Sequence, residues 1–361
     1  MRLKQQAKVN PRRHLFFIDL FKAVSIVAVV SFHGIFVPGN TYATLISPLE
    51  IAFAPLRFCV PLFFTISFFL YERSEIKQPS KSLWLLLQKR FPRLLYPLAV
   101  WFGVAISLNL AQGNSITDIL KAAATGEIFT GSYYLLALLQ LLPLFFYLRQ
   151  LTDKTNLICG LIFQIIVDIV IYAAFNHLAL SWLISYLQVI NRPLFIYWLA
   201  YVAMGIYFAR NLAQVQAISH QMPPVVKTCL ILFLGGLFIH DYQLLSWLTE
   251  QAIAPFDYLT PSCLLSVPII FCCFSNLQAE HFPLWLVKIT KIISQYSLGI
   301  FCLNGTLRLV FLSLGSSILG EQSFSLTQIV AIKLIGWSIL LLVSLGLSIL
   351  LARIGLKKTV C

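Results

Sequence analysis

Ten long apolar runs, separated by short polar or turn-rich stretches, dominate the pattern of this chain. A helix needs about 20 mostly apolar residues to cross the hydrocarbon core of a bilayer, and each run is close to that length. Turn clusters such as Pro38-Gly39-Asn40 and Met222-Pro223-Pro224 separate them. The pattern therefore predicts an all-α fold, a polytopic membrane helix bundle with about ten transmembrane helices. The predicted spans are 16–37, 52–70, 93–111, 133–149, 157–174, 193–210, 225–240, 259–276, 294–312 and 328–352.

Charged residues are scarce throughout the chain. They make up 11% of the sequence against 59% apolar residues, whereas a soluble domain carries about 25% charged residues. So few charges cannot cover a surface that faces water, which excludes a soluble enzyme, a disordered chain and a free nucleic-acid-binding protein. The lipid bilayer is therefore an expected partner, and no nucleic acid is expected despite the net charge of +13.

The 26 lysines and arginines are distributed unevenly between the two sides of the predicted bundle. Most lie in the tail at 1–14, in the loop at 71–93, in alternate later connections or near the C-terminus. The opposite connections hold only Lys121 and Arg192. Because cytoplasmic loops are enriched in these residues, both termini are predicted to be cytoplasmic. We expect a single transmembrane domain over 1–361, of which residues 1–14 are a basic cytoplasmic tail.

Two further segments bear on the membrane prediction. The segment at 178–190 is apolar but short, and it predicts an interfacial or re-entrant piece. The first run carries Asp19 and Lys22 and lacks a small-residue cleavage pattern, so we expect it to remain as the first helix. The eight cysteines form no CxxC pair, so neither a metal site nor a disulfide framework is expected.

Three ionisable side chains lie on one stripe of the first predicted helix. Lys22 and His33 differ by about 20° around the helix and by about 16 Å along it, and Asp19 lies within about 40° of His33. Ionisable groups in hydrocarbon are costly and are usually functional. His33 is a candidate general base, although a histidine that bonds two helices fits the same pattern. Lys22 could equally extend to the headgroups, and Asp19 could pair with it or begin the helix.

Three other charged residues fall inside predicted helices. Asp168 lies mid-way in the fifth span, Arg57 in the second and Arg308 in the ninth. An arginine that pairs with Asp168 inside the bundle would have a structural role. The alternative is that these groups line the path of a substrate, and the sequence alone leaves both interpretations open.

The first helix resembles that of the membrane acyltransferase-3 family. That family has an acidic residue, then an arginine, ten residues and a histidine. The stretch FFIDLFKAVSIVAVVSFHGIF presents Asp19, Lys22 and His33 with this spacing, and lysine replaces the arginine. This replacement keeps the charge but loses the bidentate fork of a guanidinium.

Three later stretches extend the resemblance over nearly the whole chain. VPLFFTISFFLYER is similar to the family's second helix and keeps its serine as Ser67. QKRFPRLLYP is similar to the Arg-x-x-Arg entry to the third helix, with Arg90 and Arg93. SLGIFCLNG resembles the late Ser-x-G-x-Y-L-x-H segment, with Phe301 for tyrosine and Asn304 for histidine. Because an asparagine side chain does not titrate, Asn304 cannot serve as an acid or base.

The resemblance implies an integral-membrane O-acyltransferase. Members of the family transfer acyl groups, commonly acetyl, from acyl-CoA to hydroxyls of envelope or secreted glycans, and some act on peptidoglycan, antibiotics or lipids. Acyl-CoA would be the co-substrate, with no permanently bound cofactor. A glycan, glycolipid or other hydroxyl acceptor would be the partner. The expected location is a plasma membrane, in bacteria the inner membrane.

The resemblance also implies roles for individual residues. His33 would be the general base, Ser67 would orient the donor or donate to the oxyanion, and Asp19 would act electrostatically. The alternative for Ser67 is a bond to its own helix backbone. Lys22, Arg90 and Arg93 would bind the CoA phosphates, but Arg90 and Arg93 are equally typical of positively charged anchors at the cytoplasmic face.

Two other functions compete with acyl transfer. A transporter or flippase would use the same buried charges for substrate or proton passage. A family member that has lost its activity could remain as a partner in an envelope complex. Transfer of label from acetyl-CoA to an acceptor separates the first function from the other two.

Overall fold

The computed structural model describes residues 15–176, 180–250, 253–319 and 322–361, and these residues form helices and the turns between them. The predicted tail at 1–14 lies outside the described residues, as does the start of the segment at 178–190. The all-α prediction is confirmed for the described part of the chain. Its α-helices are α1 (Phe16–Ser31), α2 (Ile46–Phe53), α3 (Cys59–Lys77), α4 (Leu83–Ala111), α5 (Ile116–Ala124), α6 (Tyr133–Leu148), α7 (Asp153–Asn176), α8 (Ser181–Ile190), α9 (Leu199–Arg210), α10 (Leu212–Gln221), α11 (Pro224–Leu248), α12 (Pro261–Phe274), α13 (Leu284–Gln295), α14 (Ser297–Leu319), α15 (Leu326–Leu351) and α16 (Lys357–Val360).

Seven helical stretches of the described chain are long and apolar enough to cross a membrane, so this is a multi-pass membrane protein. Each of the ten predicted spans overlaps a helix, but α1, α6 and α9 have only 16, 16 and 12 residues. The second span is displaced, because α3 begins only at Cys59, after short helical segments that contain Pro48 and Pro55. The seven stretches are Gly39–Lys77, Leu83–Ala111, Asp153–Asn176, Pro224–Leu248, Phe256–Phe274, Ser297–Leu319 and Leu326–Val360.

The surface of α7 shows why a bilayer is required. Ile158, Ile162, Ile165 and Ile169 follow helical spacing and are all exposed. A continuous apolar face of this kind is unfavourable in water and is typical of contact with lipid. The outer helices therefore present apolar side chains outward, whereas the polar groups lie inside the bundle.

Helix α1 lies at the centre of the fold and packs against α3, α13, α14 and α15. Its Phe21 ring contacts Phe271 of α12 edge to face, with centroids 5.3 Å apart, and Phe271 stacks on Phe208 of α9 at 4.3 Å. Aromatic contacts of this kind add to the free energy of apolar burial. They hold α1 rigidly between helices that are distant in sequence.

A buried ion cluster fastens the end of α3. The Glu72 carboxylate, 1% exposed, accepts hydrogen bonds from Nε of Arg149 at 3.0 Å and from Nε of Arg210 at 2.8 Å. Arg210 also donates to Asp153 at 2.9 Å. These arginines belong to the positively charged connections noted in the sequence, and here they join α3, α6, α7 and α9 through the carboxylates of Glu72 and Asp153.

The segment after α1, which carries His33, is held against α15. The Lys333 ammonium donates to the Ser31 carbonyl at 2.9 Å, and the indole of Trp337 donates to the Val27 carbonyl at 3.0 Å. Both bonds satisfy carbonyls at the C-terminal end of α1, where a cation is also favoured by the helix dipole. Gly336 lies against the carbonyl oxygen of Gly34, so a side chain at residue 336 would overlap with the backbone next to His33.

Gly336→Ala is therefore expected to destabilise the fold by about 1–3 kcal/mol, because the added methyl group forces α15 away from the His33 segment. The measurement is the temperature at which half of the detergent-solubilised protein remains monodisperse. Gly346→Ala on the same helix is the matched control, because nothing lies within 4 Å of its added Cβ and alanine favours the helix. Equal stability of both variants would contradict this account of the contact.

Candidate active site

A polar cavity of about 220 Å³ opens beside His33. Four helices, α1, α3, α6 and α14, contribute to its lining. The connections that precede α3, α9 and α12 complete it. We call it the His33 cavity. Its lining includes one histidine, His33, and five acidic or basic residues, Glu50, Arg57, Arg192, Asp257 and Arg308.

The His33 ring is fixed by Asn304. Both amide hydrogens of Asn304 are used by backbone carbonyls of its own helix, at Ile300 (2.8 Å) and Phe301 (2.7 Å). The amide oxygen therefore faces the ring and accepts a hydrogen bond from Nδ1 of His33. This assigns the proton of the neutral imidazole to Nδ1 and leaves the basic lone pair on Nε2. A residue that does not titrate thus fixes the tautomer of the neighbouring imidazole.

Asp257 is the centre of the charge network in this cavity. Its carboxylate, 2% exposed, accepts from Nη1 of Arg57 at 2.6 Å and from Nε and Nη2 of Arg192, each at 3.0 Å. Arg57 also donates to Glu50 at 2.8 Å. Burial alone would lower the pKa of Arg192, in the connection between α8 and α9, but Asp257 raises it above the ordinary value, so this guanidinium stays charged.

Arg308 has a different environment. Nη1 of its guanidinium donates to the Thr130 hydroxyl at 3.0 Å. Its Nε is buried and makes no hydrogen bond within the described residues. The salt bridges of the described chain include Arg57 and Arg192 in this cavity but not Arg308. Arg308 therefore contributes positive charge that no nearby carboxylate neutralises directly.

A second cavity, of about 300 Å³ and with a mixed polar and apolar lining, lies nearer the start of α1. Its lining includes Lys22, Ser67, Arg93 and Tyr134, and we call it the Lys22 cavity. The Ser67 hydroxyl lies 2.9 Å from the phenol oxygen of Tyr134, so its partner is a neighbouring helix. The alternative in which Ser67 bonds its own backbone is therefore wrong.

Phe301 lines both cavities and is the one residue that they share among the described residues. Its ring is nearly buried and lies 5.2 Å from that of Tyr134, centroid to centroid. The side chain thus stands between the cations of the Lys22 cavity and the imidazole of the His33 cavity. Phe301 is therefore the contact between the two cavities within the described residues.

Four predicted site residues, Asn304, Asp168, Arg90 and Asp19, lie apart from the cavity linings. Arg90 is buried, its Nη2 lies 3.4 Å from the Glu75 carboxylate, and its guanidinium stacks on the Tyr71 ring at 4.8 Å. The Asp19 carboxylate accepts a hydrogen bond from the Ser294 hydroxyl at 2.7 Å. Arg93, in contrast, is exposed and lines the Lys22 cavity. The two arginines of the Arg-x-x-Arg stretch therefore have different surroundings.

The expected ion pair between Asp168 and an intramembrane arginine is wrong. Asp168 accepts a hydrogen bond from the Gln164 amide at 3.0 Å, one turn earlier on α7. Arg57 is held by Glu50 and Asp257, and Arg308 by Thr130. Asp168 is therefore satisfied within its own helix, and the two arginines face the His33 cavity.

Sequence reasoning missed most of the residues around His33. No motif marks four other residues that line the cavity. Glu50 lies within the short helix α2, Tyr133 begins α6, and Thr130 and Asp257 lie in connections. One signal was present, since Arg192 is one of only two basic residues in connections where basic residues are otherwise missing. A charge in a charge-poor connection indicates a specific partner, which here is Asp257.

A third cavity, of about 450 Å³, is apolar and offers no catalytic group. It is lined by side chains such as Phe21, Leu56, Ile231 and Phe274 and lies between α1, α11 and α12. Such a groove suits a hydrocarbon chain and has no polar group to direct a reaction. The His33 and Lys22 cavities, which hold the ionisable residues, are therefore the candidate active site.

Comparison with known proteins gives one finding. Residues 15–353 match the family model of an acyltransferase domain, that of the acyltransferase-3 family. The matched range includes His33, Asn304 and every arginine of the two cavities. No curated protein and no solved structure matches the chain.

Proposed function

Because this chain belongs to the acyltransferase-3 family of membrane proteins, we propose that it transfers an acyl group, in the simplest case acetyl, from acyl-CoA to a hydroxyl of a glycan or glycolipid. The observation that carries the proposal is the pair of adjoining cavities, one with a base set for proton abstraction and one with cations for a donor. The proposed location is the plasma membrane, in bacteria the inner membrane, with the Lys22 cavity towards the cytoplasm.

The donor enters from the Lys22 cavity. The CoA phosphates bind Lys22 and Arg93, and the pantetheine arm passes Ser67 and Tyr134, whose hydroxyls orient the thioester. Asp19 lies three residues before Lys22 on α1 and acts on its charge. Arg90 is a positioning residue, because its contact with Glu75 fixes the start of α4 and so directs Arg93.

The acceptor hydroxyl lies at His33. Its proton passes to Nε2 of the imidazole, its oxygen bonds to the thioester carbonyl carbon, and the carbon–sulfur bond breaks as the tetrahedral intermediate collapses. The imidazolium returns the proton to the leaving thiolate, so the products are an ester and the CoA thiol. Asn304 keeps Nδ1 protonated throughout and is a positioning residue.

Arg93→Gln is expected to raise the KM for acetyl-CoA about tenfold and to leave kcat nearly unchanged, because it removes a phosphate contact made equally in the ground and transition states. Initial rates at varied acetyl-CoA concentration measure both constants. Arg90→Gln should instead lower thermal stability, since it withdraws a partner from the fully buried Glu75. Lys154→Gln, at an exposed site, is the control. An unchanged KM in Arg93→Gln would return Arg93 to a simple anchoring role.

Phe301→Trp is expected to lower acyl transfer about tenfold or more while acetyl-CoA still binds, because a larger ring fills the only contact between the cavities found in the described residues. Phe301→Ala should raise hydrolysis of acetyl-CoA in the absence of an acceptor, because it lets water reach the thioester. Assays of transfer, hydrolysis and donor affinity separate these effects. Transfer at the unmodified rate in Phe301→Trp would show that the acyl group takes another route.

The direct test uses membranes that contain or lack the protein, supplied with acetyl-CoA labelled in the acetyl group. Label should appear in an extractable glycan or glycolipid only when the protein is present. A transporter or an inactive family member would move no label to any acceptor. Membranes that contain His33→Ala in place of the unmodified protein identify the part of the label transfer that depends on the site.

A further inference from the structure

The charges of the His33 cavity do not balance. Its lining contributes three guanidiniums, from Arg57, Arg192 and Arg308, and two carboxylates, from Glu50 and Asp257. Both carboxylates are already engaged, since Arg57 bonds to both and Arg192 bonds to Asp257 in a bidentate manner. With a neutral His33, the cavity carries an excess of one positive charge.

The excess is located at Arg308. Its Nη1 bonds to a neutral hydroxyl, that of Thr130, and its buried Nε has no acceptor within the described residues. A guanidinium presents five donors, so several of them remain for a ligand. A cation removed from water is costly unless an anion or several acceptors replace the water. The arrangement is that of a site prepared for an anion beside the proposed base.

We propose that the acceptor carries an anionic group, a carboxylate or a phosphate, which Arg308 binds while the reacting hydroxyl lies at His33. The inference rests on the proposed function and narrows its substrate class to acidic sugars or phosphorylated glycans and glycolipids. A neutral sugar would leave the Arg308 charge unmatched. A carboxylate or phosphate accepts two parallel bonds from a guanidinium, which also orients the acceptor.

Binding to three probes tests this without any need for turnover. The probes are methyl glucoside, which is neutral, methyl glucuronide, which carries a carboxylate, and glucose 1-phosphate. Titration calorimetry on the purified protein in detergent gives the affinity of each. At least one anionic probe should bind about tenfold to a hundredfold more tightly than the neutral one, as a charged hydrogen bond allows. Comparison of the two anionic probes identifies which group is preferred.

The variants locate the effect. Arg308→Gln should remove the difference between anionic and neutral probes, Arg308→Lys should keep part of it, and Arg353→Gln, at an exposed position outside the cavity, should keep all of it. Equal or undetectable binding of the three probes to the unmodified protein would overturn the inference, even if Arg308→Gln does not fold. A preference for an anionic probe that persists in Arg308→Gln would overturn it as well.

The inference and the proposed function fail in different assays. Label transfer from acetyl-CoA in membranes, together with equal binding of the three probes, would reject only the role of Arg308. Preferential binding of an anionic probe without label transfer would instead support an anion site in a protein that is not an acyltransferase. The binding and transfer measurements are therefore made on the same preparations.

Discussion

His33→Ala is expected to lower the rate of acyl transfer about a thousandfold while the protein still inserts and folds. A positioned general base contributes about 10²–10⁴-fold, and the acceptor hydroxyl is a poor nucleophile until its proton is removed. The side chain borders a cavity, and its one hydrogen bond within the described residues is to Asn304, so its loss removes little packing. The measurement is transfer of labelled acetyl to the endogenous acceptor, normalised to the amount of protein in the membrane.

Two comparisons make this result specific. His240→Ala alters a histidine whose side chain is 70% exposed, and it should transfer acetyl at the unmodified rate. Asn304→Ala should lower kcat and change the KM for acetyl-CoA little. The substitution releases the imidazole from its fixed tautomer but does not remove a contact with the donor. Transfer at the normal rate in His33→Ala would remove this residue from the mechanism and require another base in the cavity.

Asp257→Asn is expected to destabilise the protein by about 3–5 kcal/mol, because it leaves Arg57 and Arg192 without the carboxylate that they share. The substitution keeps the shape of the side chain, so the loss reports charge and not packing. The measurement is the thermal midpoint of the detergent-solubilised protein, followed by size-exclusion chromatography.

Asp118→Asn on the exposed face of α5 is the matched control and should change the midpoint little. The double variant Asp257→Asn with Arg192→Gln should recover part of the lost stability, because one of the two uncompensated cations is removed with the carboxylate. If Asp257→Asn alone is as stable as Asp118→Asn, the ion cluster does not hold the cavity together.

Some features of the site could be predicted from single helices. The sequence predicts Lys22 and His33 on one stripe of the first helix. In the structure α1 ends at Ser31, just before His33, and both residues line cavities that share Phe301. Helical periodicity is a local property, so the sequence reports which side chains share a face. The roles of these residues in catalysis remain predictions until transfer is measured.

Other features depend on which helices pack together. Asn304, the partner of His33, is 271 residues away in the sequence. Asp257, which accepts a hydrogen bond from Arg57, is 200 residues away from it. Asp168, in contrast, bonds to Gln164 one turn earlier in its own helix, so this contact is local and has the spacing of a helical turn. The contacts of His33 with Asn304 and of Arg57 with Asp257 follow no sequence period, because both join separate parts of the helix bundle.

The sequence by itself determined that this is an all-α membrane protein, that ionisable groups occupy one face of its first helix and that its motifs resemble an acyltransferase. The first two properties follow from composition and from the period of the helix, and the third rests on the resemblance of its motifs to those of a known family. Only the tertiary structure decided that Asn304 fixes the tautomer of His33, that Asp257 joins two arginines and that Phe301 separates two cavities. Each of these depends on contacts between side chains brought together by helix packing, which no local pattern encodes.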